Sequence, residues 1–133
     1  MPDRGTLSHI ELYVSNLERS AKFWEWLLGE LGYVRYQEWD GGVSYRLGAM
    51  YLVLVQVDDE FATPGYHRKR VGLNHVAFHA GSREAVDALT AQLIERGITI
   101  LYPDRHPNAG GGDSYAVFFE DPDRIKVELT VTT

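Results

Sequence analysis

SHIELYVSNLERSAKFWEWLLGELG (8–32) decides the fold, because NHVAFHAGSREAVDALTAQLIERG (74–97) says it again. Each copy reads as a strand that carries a histidine, a turn, and an amphipathic helix closed by a glycine, Gly32 or Gly97. In the first, Ile10, Leu12 and Val14 alternate with His9, Glu11 and Tyr13, so one face of the strand is apolar and the other polar and partly aromatic. In the second, Val76 and Phe78 alternate with His75, Ala77 and His79. Asn16 and Ser82 are the expected helix N-caps. Leu17, Ala21, Trp24, Leu28 and Leu31 form one expected buried stripe, and Val86, Leu89 and Leu93 the other.

Strand-like material follows each helix. Segments 33–39, 43–47 and 50–57 are rich in aromatic and β-branched residues and are broken by DGG (40–42) and Gly48. After the second helix, 98–102, 114–120 and 124–131 read as strands, with PDRHPNAGGGD (103–113) as a mobile loop. VDDEFATPGYHRKRVG (57–72) has charge, Pro and Gly but no periodicity, and separates the copies. The expected fold class is α+β: a single domain over 1–133 built of duplicated βαβββ modules, about 6–57 and 73–131, joined by linker 58–72. Each module is expected to be a curved mixed sheet forming a cup-shaped site.

Composition narrows the function. With 133 residues, 44% of them hydrophobic, the chain can bury a real core. It has no cysteine, which excludes disulfides, iron–sulfur clusters and thiol catalysis and leaves nitrogen and oxygen as the only metal ligands. Thirteen basic against nineteen acidic residues give a net charge of −6, and HRKR (67–70) is the only basic run, so no nucleic-acid partner is expected. No apolar run reaches the roughly 18 residues of a membrane span, and MPDRGTLSH lacks an apolar leader stretch. The expected location is cytoplasmic, with no membrane partner.

The closing strand, RIKVELTV, puts Glu128 on one face with Lys126 and Thr130, and Val127, Leu129 and Val131 on the other. A carboxylate on a central strand needs a partner, since an unpaired buried charge costs several kcal/mol, on the order of 3–5. His9 and His75 hold matched places in the two copies. Two imidazoles and one carboxylate make the facial set that leaves coordination positions open, so His9, His75 and Glu128 are expected to hold one divalent metal ion. Fe fits if oxygen is activated; Mn, Ni or Zn fit isomerisation or addition. Aligning YLVLVQV with IKVELTV places Leu52, Leu54 and Gln56 opposite Lys126, Glu128 and Thr130, and leucine cannot ligate. Glu11, about 7 Å along the strand from His9, is a candidate general base. His79 lies roughly 13 Å from His75, too far to share its ion. Tyr13, Trp39, Tyr45 and Tyr115 are candidate pocket walls.

HIELYVSNLERSAKFWEWLLG, LNHVAFHA and FFEDPDRIKVEL together resemble the opening, the second-module start and the closing signature of the vicinal oxygen chelate superfamily. That superfamily includes glyoxalase I, methylmalonyl-CoA epimerase, extradiol dioxygenases, fosfomycin-resistance transferases and bleomycin-resistance proteins. The resemblance covers essentially the whole chain and implies the same three ligands, His9, His75 and Glu128, in a site built from paired modules and often exchanged across a dimer. It also implies departures. Glyoxalase I places a fourth ligand, commonly glutamate, where the alignment puts Leu54. Fosfomycin transferases and extradiol dioxygenases share the three-ligand pattern but both typically have tyrosine at Phe118; fosfomycin transferases also have threonine at Glu11, so their chemistry is not expected. An extradiol dioxygenase would draw its acid–base groups from His67, His106 and Tyr115. The expected function is a metal-dependent enzyme acting on a small oxygen-chelating substrate, a glyoxalase-like lyase or isomerase or an extradiol-type dioxygenase. The alternative is a metal-free drug- or metabolite-binding protein of the bleomycin-resistance kind, which the acidic balance suits. A homodimer is the expected assembly.

Overall fold

The computed structural model of the protein describes residues 2–131. The chain divides into two compact units, the first ending at Gly65 and the second beginning at Tyr66. Both are βαβββ modules. In the first, β1 (His9–Val14) is followed by α1 (Leu17–Glu30), β2 (Val34–Trp39), β3 (Gly42–Leu47), β4 (Met50–Gln56) and a short 3-10 turn at Asp59–Phe61. Its sheet order is β1-β4-β3-β2, with β1 parallel to β4 and the other pairs antiparallel. In the second, β5 (His75–His79), α2 (Arg83–Glu95), β6 (Ile100–Leu101), β7 (Tyr115–Glu120) and β8 (Lys126–Val131) build the order β5-β8-β7-β6, again with only the first pair parallel. Each histidine strand therefore lies beside the last strand of its own module.

The helices begin and end by the same devices. Asn16 Oδ1 accepts from Arg19 N–H at 3.0 Å, and Ser82 Oγ accepts from Ala85 N–H at 3.1 Å, so each cap satisfies a donor that the helix leaves unpaired. At the other end, Gly32 (φ +94°) and Gly97 (φ +76°) take the left-handed conformation that side-chain-bearing residues avoid. That turn lets Tyr33 N–H reach Leu28 O and Ile98 N–H reach Leu93 O, each at 2.9 Å, closing a Schellman motif in both modules. α2 buries Val86, Leu89 and Leu93 as expected, and Thr90 with them. α1 buries Ser20, Phe23, Trp24, Leu27 and Leu28, while Leu17, Ala21 and Leu31 stay half-exposed. Helical spacing alone allows either stripe, because Phe23, Trp24, Trp26, Leu27 and Leu28 surround much of the helix with apolar surface; the sheet selects the side that packs.

The segment 103–113 is a loop built of hydrogen-bonded turns. Asn108 N–H bonds Arg105 O, Gly111 N–H bonds Asn108 O and Ser114 N–H bonds Gly111 O, while Ala116 N–H reaches Pro107 O at 2.8 Å. Asn108 Nδ2 also donates to Ser114 O. Its glycines hide these turns from any periodicity test. In the turn between β7 and β8, Asp121 is buried and its Oδ1 accepts from both Asp123 N–H and Ile125 N–H at 2.8 Å. The first carboxylate of the DPDRIKVEL stretch is thus a turn-former, and it launches β8 with Glu128 on the face opposite α2.

The register of β4 corrects one expectation. His9 pairs with Tyr51, Glu11 with Val53 and Leu12 with Leu54, whereas His75 pairs with Lys126 and Ala77 with Glu128. Residues paired across adjacent strands point to the same side. The counterpart of Glu128 is therefore Val53, and Leu54 faces α1 with Leu12, fully buried. Gln56 is on that helix side too: its Oε1 accepts from Leu17 N–H at 2.8 Å and its Nε2 donates to Ser15 O at 3.0 Å, which clamps the start of α1. The conclusion that the first module offers no carboxylate at this place survives, through a different residue.

Candidate functional site

On the open face of the second module, His75 Nε2 lies 3.2 Å from Glu128 Oε1. The carboxylate side chain is 12% exposed and the imidazole 33%, so the pair sits at the floor of an opening rather than in the core. Asn74 Oδ1 lies 2.7 Å from His75 Nδ1. A carbonyl oxygen only accepts, so Nδ1 carries the hydrogen, and Nε2 of the neutral ring turns a lone pair toward the carboxylate. Two electron-rich atoms at that separation call for a positive charge between them, a proton or a cation. Two ligands each about 2.1 Å from one ion lie about 3.0 Å apart at a right angle and about 3.4 Å apart at the tetrahedral angle. The observed separation falls between, so this pair fits a divalent ion.

His9 repeats the arrangement in the first module. Ser8 Oγ lies 3.0 Å from His9 Nδ1, and the ring stacks on Tyr51 with centroids 4.5 Å apart and planes 6° apart. In each module the residue just before the histidine holds Nδ1 and so leaves Nε2 as the ring nitrogen available to a ligand. That is how metal-ligating imidazoles are commonly oriented. The Ser-His and Asn-His dipeptides were the available sequence signal for it. Among the described residues, no group of three or more His, Asp or Glu side chains is assembled around a single point.

A cavity of about 450 Å³ opens over the His75–Glu128 pair, walled by Tyr102, Arg105, Phe118 and Lys126. The Phe118 and His75 rings meet at a steep angle with centroids 6.0 Å apart, and Phe118 packs against Tyr102 at 5.5 Å. Lys126 Nζ donates to the Tyr102 hydroxyl at 3.1 Å, and that bond, with the ammonium charge, lowers the Tyr102 pKa from its ordinary value. Sequence reasoning noted Lys126 only as a neighbour of Glu128 and missed Tyr102 and Arg105, which reach the cavity from the end of β6 and the loop after it.

The remaining candidates scatter. Glu11 is exposed on the His9 side of β1, and Tyr13 is exposed on the same face. Tyr115 is on the other side of its sheet: its hydroxyl bonds Asp87 of α2 at 2.5 Å, which raises its pKa, and Arg83 covers its ring. Strand alternation explains this, since Tyr115 shares the helix side with Val117 while Phe118 points away from it. His67 is exposed, accepts from Lys69 N–H through Nδ1 at 3.0 Å, and lines a separate small cavity with Arg68 and Arg124. His106 is half-buried in the loop, where the neighbouring Arg105, not the imidazole, reaches the cavity wall. Tyr45 is buried on the helix side, its hydroxyl pointing to Ala21 O, and burial pushes its pKa up to about 12. Trp39 lies over Gly42, where a Cβ would collide with the indole.

Comparison with known proteins agrees with this architecture. A family model described as Glyoxalase/Bleomycin resistance protein/Dioxygenase superfamily matches residues 6–129. The chain is 58% identical over 123 residues to YqjT, an uncharacterized protein of Bacillus subtilis, covering 92% of this chain and 96% of that one. It is 29% identical over 126 residues to the glutathione transferase FosA of Serratia marcescens, covering 95% and 80%. A solved structure from Bacillus halodurans, provisionally described as a glyoxalase, superposes with a TM-score of 0.95 at 61% identity over 97% of both chains.

Proposed function

The chain belongs to the Glyoxalase/Bleomycin resistance protein/Dioxygenase superfamily, and from that premise we propose that it is a metal-dependent enzyme acting on a small organic substrate that chelates through adjacent oxygens. His75, Glu128 and His9 are the assigned ligands of one divalent ion, His9 coming from this chain or from a second copy in a homodimer. The observation that carries the reading is the repeated tether: Ser8 and Asn74 hold the two Nδ1 atoms, and His75 Nε2 stands 3.2 Å from Glu128 Oε1. An ion held there supplies Lewis-acid stabilisation of negative charge developing on substrate oxygen.

The protein's own groups do the rest. Asn74 fixes the tautomer and the aim of His75, and the Phe118 ring walls the imidazole from one side. Glu11, exposed on the His9 face, is the general base we assign for removing a proton from carbon. Tyr115, His67 and His106, the groups that ring cleavage would draw on, do not line the His75–Glu128 cavity, and Glu11, which does not line it either, would join the site only together with its strand neighbour His9. Because Tyr115 is tied to Asp87 on the helix side of its sheet, we favour proton transfer of the lyase or isomerase kind, and with it Mn, Ni or Zn over Fe.

Metal analysis and titration of protein purified without an affinity tag test the proposal. We expect about one divalent ion per site, with His75→Ala and Glu128→Gln each weakening affinity at least about 100-fold because the ligand set falls to two. Unchanged binding in both variants would sink the assignment. Absence of metal from a protein that still binds apolar drugs would favour the sequestering alternative. Light scattering at micromolar concentration should show a dimer; a monodisperse monomer would confine the three ligands to one chain.

A further inference from the structure

The cavity over His75 and Glu128 is built to take negative charge at its other end. In a chain of net charge −6, its wall gathers Arg105 and Lys126 against the single carboxylate of Glu128. Neither cation is in an ion pair among the described residues, whose salt bridges involve Arg35, Arg68, Arg124 and His75. Both are instead held by one aromatic group. The Arg105 guanidinium lies 4.8 Å from the Tyr102 ring centroid, and the Lys126 ammonium 5.3 Å from it and 5.6 Å from the Phe118 ring. Cation–π contact positions a charge without neutralising it, which leaves both charges available to a ligand.

Tyr102 is itself held in an uncommon conformation, with φ +53°. A non-glycine residue there carries a conformational cost that is worth explaining by function. Its oxygen accepts from Lys126 Nζ, so its O–H is left to donate elsewhere. Arg105, Lys126 and the Tyr102 O–H therefore bring two cations and a hydroxyl donor to one cavity wall, a set that an oxyanion satisfies. Lys126 and Glu128 are two residues apart on one strand face, about 7 Å.

We infer that Tyr102, Arg105 and Lys126 form an oxyanion subsite, so that the substrate is a small acid whose carboxylate or phosphoryl group is separate from its chelating oxygens. The inference rests on the metal reading only for the second half of that statement. The subsite itself is testable without metal.

Calorimetric titration of the metal-free full chain with inorganic phosphate, and separately with acetate, should show saturable binding of one anion per chain. Arg105→Gln and Lys126→Met should each weaken it at least tenfold, whereas Arg105→Lys, which keeps the charge, should stay within threefold of the parent. The tighter of the two anions names the group as phosphoryl or carboxylate. Failure of both to bind, or equal affinity in the parent and in both charge-removing variants with circular dichroism unchanged, overturns the inference. Mn(II) titration of Arg105→Gln separates the two readings. Retained metal uptake with lost phosphate binding supports the subsite, and phosphate binding in a chain that takes up no Mn(II) leaves the subsite standing while the metal assignment falls.

Discussion

The two modules are built alike and furnished differently. Both cap their helix with an oxygen-bearing side chain, end it on a left-handed glycine, and lay the histidine strand parallel to the last strand. On the helix side they match in kind: Leu12 with Leu54 in one, Phe78 with Leu129 in the other. On the face away from the helix they diverge. The residue opposite His9 is Tyr51, which stacks on it; the residue opposite His75 is Lys126, which reaches Tyr102 instead. Where the second module has Glu128 beside Phe118, the first has Val53 beside Ser44. Helix-side residues are locked by close packing, in which a change of one methylene is felt, so divergence after duplication is cheapest on the face that packs against no helix.

Reversing that difference gives the largest effect. Leu54→Glu should destabilise the protein by at least about 3 kcal/mol in urea unfolding, because it removes a fully buried side chain and sets an unpaired carboxylate against α1. Val53→Glu also inserts charge at a covered position, but on the His9 side, so added Mn(II) should raise its melting temperature by more than it raises that of the parent. If Leu54→Glu folds normally and gains metal affinity, the equivalence of Val53 with Glu128 is broken.

The histidine tethers sharpen the comparison at intermediate size. Asn74→Ala and Ser8→Ala should each weaken metal binding by about 10- to 100-fold, the usual effect of removing a group that orients a ligating imidazole. A loss in Asn74→Ala with none in Ser8→Ala would show that the matched histidines are not used alike. The smallest effect concerns the turns. The turn into β4 uses Gly48 at φ +61°, whereas the turn into β8 uses Arg124 at φ +67°. Arg124→Gly should therefore raise unfolding free energy by about 0.5–1 kcal/mol, less a few tenths for its exposed pair with Glu120. A drop in stability would mean that the arginine side chain supports the β7–β8 turn more than its backbone strains it.

By itself the sequence determined the duplication, both helix caps, both terminating glycines, the α+β class, and the placing of Glu128 on the face opposite Val127 and Leu129. Each of these is written in local chemistry: an oxygen before a helix, a missing Cβ after it, a strict alternation in KVELTV. Tertiary structure alone decided which face of β4 carries Val53. Tyr51 to Val55 is an unbroken apolar run with no alternation to mark its sides, so only pairing with β1 sets its register, and a slip of one residue exchanges the faces. The same holds for Arg105 and Tyr102. Both lie in or beside a segment without periodicity, and only the loop's hydrogen bonds and the left-handed turn at Tyr102 bring them to Lys126, more than twenty residues along the chain.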